Sequence, residues 1–409
     1  MKILAVFGRD AYGTAARGES YEHANILPDL HGMAGEHGDV RLFDCWDRSA
    51  FADFAELNQT FVQTIAAYQP DVIFLVLMGY EIWTESLDLI RANCPATLIH
   101  WGTDDSWKYT QFTRFIAPHV DLHITTDQSA FERGTRDGIT CMARSQWAAC
   151  SAKLAPPLAS SECHYDVSFV GAAYGNRPAW VQALADRGIT VDTFGKGWNA
   201  GVVTAEDISR IYRQSRVSLN FSDSQYQLTG GSIQRSRQIK ARTFEVPGAG
   251  GFLLTEPADT LGDYFKLGEE METYANADEL VAKIMHYLTH TDERDAMANR
   301  AHASVVAQHT YRARIPALFD IARQHRDHHR SSQTWQLDPA GLSIAVERHA
   351  CGPVLHGTGK ALTWLATLPL GRDRGTRAAR RLVHELSWRV AGAKTYSAAG
   401  LPGRLFYHE

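Results

Sequence analysis

The feature that most constrains this chain is the run D-V-I-F-L-V-L-M, Asp71 to Met78. It has the length of a strand and no alternation of apolar with polar residues. A strand that is apolar throughout is buried on both faces, as at the centre of a parallel sheet with helices on either side. Parallel strands need crossover connections, and the flanking sequence supplies them. Lys2 to Gly8, Val40 to Cys45, Ala96 to Trp101 and Asp121 to Asp127 read as further strands. Phe51 to Tyr68 and Glu81 to Asn93 read as the helices between them. Ser20 caps a helix beginning near Tyr21, with Glu22 favourably placed in its first turn. The pattern predicts a doubly wound α/β domain over residues 1–152.

The second half repeats the pattern. The proline- and serine-containing stretch Ala152 to Glu162 reads as a linker. After it come strands at Tyr165 to Gly171, Ile189 to Phe194, Val217 to Phe221 and Phe252 to Leu254. Thr204 caps a helix, and Ser222 to Arg237 reads as a long polar loop. Ala277 to Leu288, Asp292 to Tyr311 and Ile315 to Arg326 read as the last helices of a second α/β domain, residues 163–326. Residues 331–409 form an extension with helical stretches at Lys360 to Leu368 and Arg377 to Val390.

Charge separates these regions. The whole chain carries −5, but residues 331–409 hold 10 Lys and Arg against 5 Asp and Glu. The extension is therefore +5 and the remainder −10. A basic tail on an acidic body points to an anionic partner such as a membrane surface; a solvated helical face is the plainer reading. Nothing in the charge favours nucleic acid. The six cysteines include no CxxC pair and no zinc spacing, which fits isolated thiols in a reducing compartment. The first residues read as a strand rather than a signal peptide, and no run of 18 apolar residues occurs, so the cytoplasm is expected.

Two stretches carry candidate chemistry. In Gln238 to Glu256, Q-I-K-A-R-T-F-E-V-P-G-A-G-G-F-L-L-T-E, helical spacing places Gln238, Arg242 and Glu245 on one face. Pro247 stops that helix, and Gly248, Gly250 and Gly251 keep the following turn bare. Cations beside a bare backbone suit a sugar diphosphate: Lys240 and Arg242 would meet phosphate oxygens, and Glu245 ribose hydroxyls. Gly171, Tyr174 and Arg177 lie where the strand Tyr165 to Gly171 feeds a small-residue loop into a helix, a phosphate-friendly arrangement. The plainer reading of Arg242 and Glu245 is a surface ion pair, and of the glycines a simple turn. In H-W-G-T-D-D-S-W-K-Y, Asp104 and Asp105 follow the carboxyl end of a predicted strand, where open parallel sheets bind ligands. One is expected to structure the loop and the other to face a cleft as base or acceptor clamp. The histidines near Arg330 read as a solvated helix end, not a metal site.

Six segments in order carry a family resemblance: W-G-T-D-D-S-W-K-Y, S-Q-W-A-A-C, Y-D-V-S-F-V-G-A-A-Y-G-N-R, F-G-K-G-W, the Gln238 to Glu256 stretch and H-T-Y-R-A-R. Together they resemble the spore-maturation CgeB-like branch of the GT-B glycosyltransferases, over Met1 to Arg326. The resemblance implies two Rossmann-like domains facing a cleft, the front one for the acceptor and the rear one for a nucleotide-sugar donor. It implies a hexosyltransferase, with a sugar, lipid-linked or protein acceptor and a place in cell-envelope polysaccharide synthesis. With no acidic D-x-D beside the predicted donor site, metal-independent transfer is expected, Arg242 and Lys240 neutralising the diphosphate. Glu245 corresponds to a ribose-binding glutamate. Relatives with a second glutamate eight positions earlier differ from this chain, which has Arg237 there. A nucleotide-sugar epimerase and a non-catalytic nucleotide-sugar binding module are the rival readings. A nicotinamide dehydrogenase is disfavoured because no G-x-G-x-x-G follows either first strand.

Overall fold

A computed structural model describes the chain except residues 36, 80, 230–231, 331–333, 350–351, 393–400, 402–404 and 407–409. The apolar run forms the third strand of a six-stranded, all-parallel sheet. Its strands are β1 (Lys2–Val6), β2 (Asp39–Phe43), β3 (Val72–Leu75), β4 (Thr97–Gly102), β5 (Leu122–Thr125) and β6 (Met142–Arg144), in the order β2-β1-β3-β4-β5-β6. Every residue of β3, β4 and β5 is buried, including the polar His100 and His123, as central parallel strands covered on both faces require. The second sheet is also parallel. It holds β7 (Tyr165–Val170), β8 (Asp192–Phe194), β9 (Ser215–Asn220), β12 (Leu253–Thr255) and β13 (Glu272–Thr273), in the order β13-β12-β9-β7-β8. Phe169, Val217, Leu219, Phe252 and Leu254 make its core.

Between β9 and β12 the expected polar loop is an antiparallel hairpin, β10 (Asp223–Thr229) with β11 (Ser232–Arg237). Tyr226 and Leu228 at two-residue spacing, with Ile233 opposite Leu228 in register, supply the strand pattern hidden among polar residues. Another correction concerns Pro247. The helix after β11 spans Arg242–Gly248 and runs through the proline, which sits in its last turn.

The chain crosses between the sheets twice, side by side. Ala149 in the outgoing linker donates from N to the His309 carbonyl at 2.9 Å and accepts from Tyr311 N at 3.1 Å. The helix Tyr311–Arg330 then leaves the rear domain, contrary to its expected place as that domain's last helix. Its Tyr311, Ile315, Leu318 and Phe319 join the front core, where Phe319 meets Phe74 and Tyr311 meets Trp101. Arg330, expected at a solvated end, instead forms a buried ion pair with Asp121 and donates to the Arg91 carbonyl at 2.8 Å. Trp335, Leu337, Leu342 and Ala345 of the extension pack on the same core.

Candidate functional site

The two sheets bound a cleft of about 890 Å³. On its rear wall lie the carboxyl ends of β7 and β9, and Arg242 is anchored to both. Its Nη1 donates to the Val170 carbonyl at 2.8 Å and its Nε to Asn220 Oδ1 at 3.1 Å. Asn220 is oriented in turn by donating to Thr255 Oγ1 at 2.8 Å. The guanidinium lies 5.1 Å from the Phe169 ring centroid. Gly171 makes this approach feasible, because a Cβ there would sit 2.6 Å from Arg242 Nη1. Arg242 lines the cleft, together with Gln238, Lys240 and Glu245. The expected helix face is observed in part: the helix starts at Arg242, so Arg242 and Glu245 share it, while Gln238 and Lys240 reach the cleft from the preceding non-helical segment.

Glu245 is partly buried where it borders the cleft. Burial pushes its carboxyl above the ordinary glutamate value, partly offset by Lys153 and then Arg242. Lys153, from the linker, also lines the cleft and donates to Asn25 Oδ1 at 2.8 Å. A lone linker lysine gave no sequence signal; only the fold brings it opposite Glu245.

The loop after β7 is built around Arg177, which is buried. Its Nη1 donates to the Ala172 carbonyl at 2.9 Å and its Nη2 to the Tyr174 hydroxyl at 3.0 Å. The Tyr174 ring stacks 4.0 Å from that guanidinium and remains half exposed at the cleft. Arg177 thus supports the loop that presents Tyr174. Gly250 and Gly251 do not line the cleft, contrary to the donor-binding expectation. A Cβ on Gly250 would lie 2.7 Å from the Ala155 carbonyl oxygen, and one on Gly251 2.6 Å from that of Tyr212. They let the helix end pack against the linker and a neighbouring helix, and the expected strand follows them.

The front wall separates the two adjacent aspartates. Asp105 is buried and turned into the domain. Its Oδ1 accepts from Thr113 Oγ1 at 2.5 Å, and its Oδ2 lies 2.9 Å from His123 Nε2. His123 Nδ1 is 2.9 Å from His100 Nδ1. Burial alone would raise the Asp105 carboxyl, but His123 and the Thr113 and Thr125 hydroxyls outweigh it and hold it below its ordinary value. Burial, and then His123, push His100 well below its ordinary value, so it is neutral. Asp105 is therefore a locked internal anion and has no access to the cleft, which corrects its expected catalytic place. Asp104 precedes the helix Asp105–Lys108, lines the cleft, has a 42 % exposed side chain and lies 3.8 Å from Lys108 Nζ.

Sequence reasoning missed other front-wall groups. Tyr12 sits at φ 58°, on a loop closed by Ala11 N donating to the Gly18 carbonyl at 2.9 Å and Ser20 N to that of Arg9 at 2.8 Å. Its ring lies 4.9 Å from the Arg17 guanidinium, and both line the cleft. Behind it, burial pushes the Glu22 carboxyl up to about 7, with Asp104 adding to the rise and Lys108 opposing it. Glu22 had served only as a helix-start signal. Ser106 Oγ donates to Gln238 Oε1 at 2.9 Å, joining the two walls directly. Among the described residues, no group of three or more His, Cys, Asp or Glu is placed to hold a metal ion.

Comparison with known proteins places this geometry. Residues 177–320 match the family model described as glycosyl transferase-like. The structure is similar to sucrose-phosphate synthase from Thermosynechococcus elongatus, with 12 % identity, 81 % of this chain and 99 % of that chain covered, and a TM-score of 0.52. It is also similar to a glycosyltransferase from Rickettsia africae, with 11 % identity, 79 % and 98 % coverage and a TM-score of 0.53. The fold is GT-B. Comparison with curated proteins gives no match. The matched segment begins at Arg177 and takes in Arg242 and Glu245, so the rear wall of the GT-B cleft is the part with a glycosyl transferase-like sequence.

Proposed function

We propose that this chain is a glycosyltransferase that moves a sugar from a nucleoside diphosphate to an acceptor hydroxyl. The observation that carries the reading is the pairing of walls: a tethered guanidinium at the carboxyl ends of β7 and β9, and an accessible carboxylate across the cleft. Arg242 and Lys240 neutralise the diphosphate, and Glu245 accepts from the ribose hydroxyls. Gly171 leaves room for the Arg242 guanidinium, Arg177 braces the loop, and Tyr174 offers its ring to the base or sugar. Asp104 accepts the proton of the acceptor hydroxyl as its oxygen bonds to the anomeric carbon. The anomeric C–O bond breaks, and its electron pair leaves with the diphosphate. In an enzyme of retaining outcome Asp104 would orient the acceptor instead. Residue types in this cleft supply the charge neutralisation without calling for a metal ion.

Within the glycosyltransferases, the six ordered motifs favour the CgeB-like branch. The acceptor is a sugar, a lipid-linked carrier or a protein. A cytoplasmic site, with peripheral membrane contact through the basic extension, completes the reading; the five described cysteines are unpaired, as a reducing compartment allows. The experiment is a panel of radiolabelled nucleotide sugars incubated with the protein, with and without membrane extract as acceptor source. Label passing to acceptor only when extract is present supports transfer. Sugar conversion without acceptor would instead indicate an epimerase, and binding without any turnover a sensor module.

A further inference from the structure

The C-terminal helices carry an apolar and cationic surface. Helices Pro353–Leu370 and Arg372–Ala391 fold back on one another through Gly371. Leu362, Ala366, Ala379 and Val383 meet Leu405 and Phe406 in a small core between them. Among the described residues, no strand or helix of either domain packs extensively on the pair. Its outward residues are nevertheless large and apolar. Trp364, Leu365 and Leu368 share one face of the first helix, and Leu382, Leu386 and Val390 recur at four-residue steps on the second. Trp364 is 60 % exposed and Val390 89 %. Clustered exposure of this kind marks a surface that meets something else.

Charge selects the partner. Residues 353–391 contain seven Lys and Arg against two Asp and Glu, a net of +5. A two-fold pairing of this face with itself would bring two such positive surfaces together, whereas an anionic surface complements it. No helix among the described residues is long and apolar enough to cross a membrane. An apolar stripe bearing a tryptophan, flanked by arginines and too short in hydrophobic length to span, is suited to lie in the headgroup region of a bilayer.

We propose that the helix pair Pro353–Ala391 docks on an anionic lipid surface, with Trp364, Leu368 and Leu382 in the interface and the arginines at lipid phosphates. The inference rests on the peripheral contact included in the functional proposal, but not on the donor chemistry. Of the acceptor classes named there, it favours the lipid-linked one, which is concentrated at such a surface.

The experiment is flotation of the full-length protein with phosphatidylcholine vesicles, with and without phosphatidylglycerol. Binding should require phosphatidylglycerol. Trp364→Glu/Leu368→Glu and, separately, Arg380→Glu/Arg381→Glu should each weaken it by about tenfold or more. Nucleoside diphosphate binding, read by calorimetry, should be unchanged in both variants. Absence of vesicle binding by the unaltered protein would overturn the proposal, as would equal binding by the variants. A protein that sediments as a dimer only while Trp364 and Leu368 are intact would assign the face to a second copy instead. Should the unaltered protein bind vesicles but no nucleotide, the lipid inference stands and the transferase reading fails.

Discussion

The two walls of the cleft solve opposite electrostatic problems. The rear wall collects cations and ties them to neutral acceptors: Arg242 donates to a carbonyl and an amide oxygen, so its positive charge is held in place without being cancelled. The front wall sets carboxylates side by side and gives them different fates. Asp105 is held inside the domain by His123 and Thr113, whereas Asp104 stays half exposed. The contrast suggests a division of labour. Fixed charge that is paired but not neutralised can receive an anion at little reorganisation cost. A carboxylate that is accessible can take a proton, while a buried, fully bonded one maintains architecture.

The largest expected effect of breaking this contrast is at Asp104. Asp104→Asn should lower kcat by ~10²–10⁴-fold, the usual contribution of a general base, with donor affinity unchanged. Single-turnover kinetics with saturating donor would measure it. Arg242→Gln should come next, costing ~2–4 kcal/mol of transition-state stabilisation, since one preorganised donor to developing charge contributes about that much. If kcat/KM for that variant equals that of the unaltered protein, the rear wall is not a phosphate site. Glu245→Ala should weaken donor binding by ~1–3 kcal/mol through lost ribose hydrogen bonds, a change visible by calorimetry.

The same division explains what could be read from sequence. The first sheet was legible because its central strand β3, buried on both faces, is apolar throughout. Arg242 and Glu245 were legible because helical spacing fixes a shared face. The roles of Asp104 and Asp105 were not, because adjacent residues point apart and the choice depends on His123, which arrives from another strand. Gly250 and Gly251 misled because a bare backbone serves a close-packed linker as well as it serves a phosphate. Lys153, Tyr12 and Arg17 reach the cleft only through tertiary folding. The return of the helix Tyr311–Arg330 to the front domain likewise depends on contacts with Phe74, Trp101 and Asp121 that local pattern cannot encode.

Smaller effects separate architecture from chemistry. Asp105→Asn should reduce thermal stability near neutral pH while leaving donor affinity intact. The sign follows from its lowered carboxyl: the unaltered chain gains stability from that group above the ordinary aspartate range and loses it as acid protonates the folded state. Asp105→Asn should therefore flatten the acid limb of a stability profile. Glu22 acts in the opposite sense. Its folded value of about 7 lies above the reference of 4.5, so between these values the folded state holds the proton that the unfolded chain releases. Its contribution to stability falls as pH rises through this window. Glu22→Gln should remove that dependence and raise the melting temperature at pH above about 7, as followed by circular dichroism.

The most direct measurement is calorimetric titration of the unaltered protein and Arg242→Gln with UDP, GDP, ADP and TDP. The account predicts that at least one diphosphate binds the unaltered protein and that the variant binds it ~10-fold or more weakly, as expected for a lost charge-assisted contact. Equal affinity in the two proteins, or no binding of any diphosphate to the unaltered one, would contradict it.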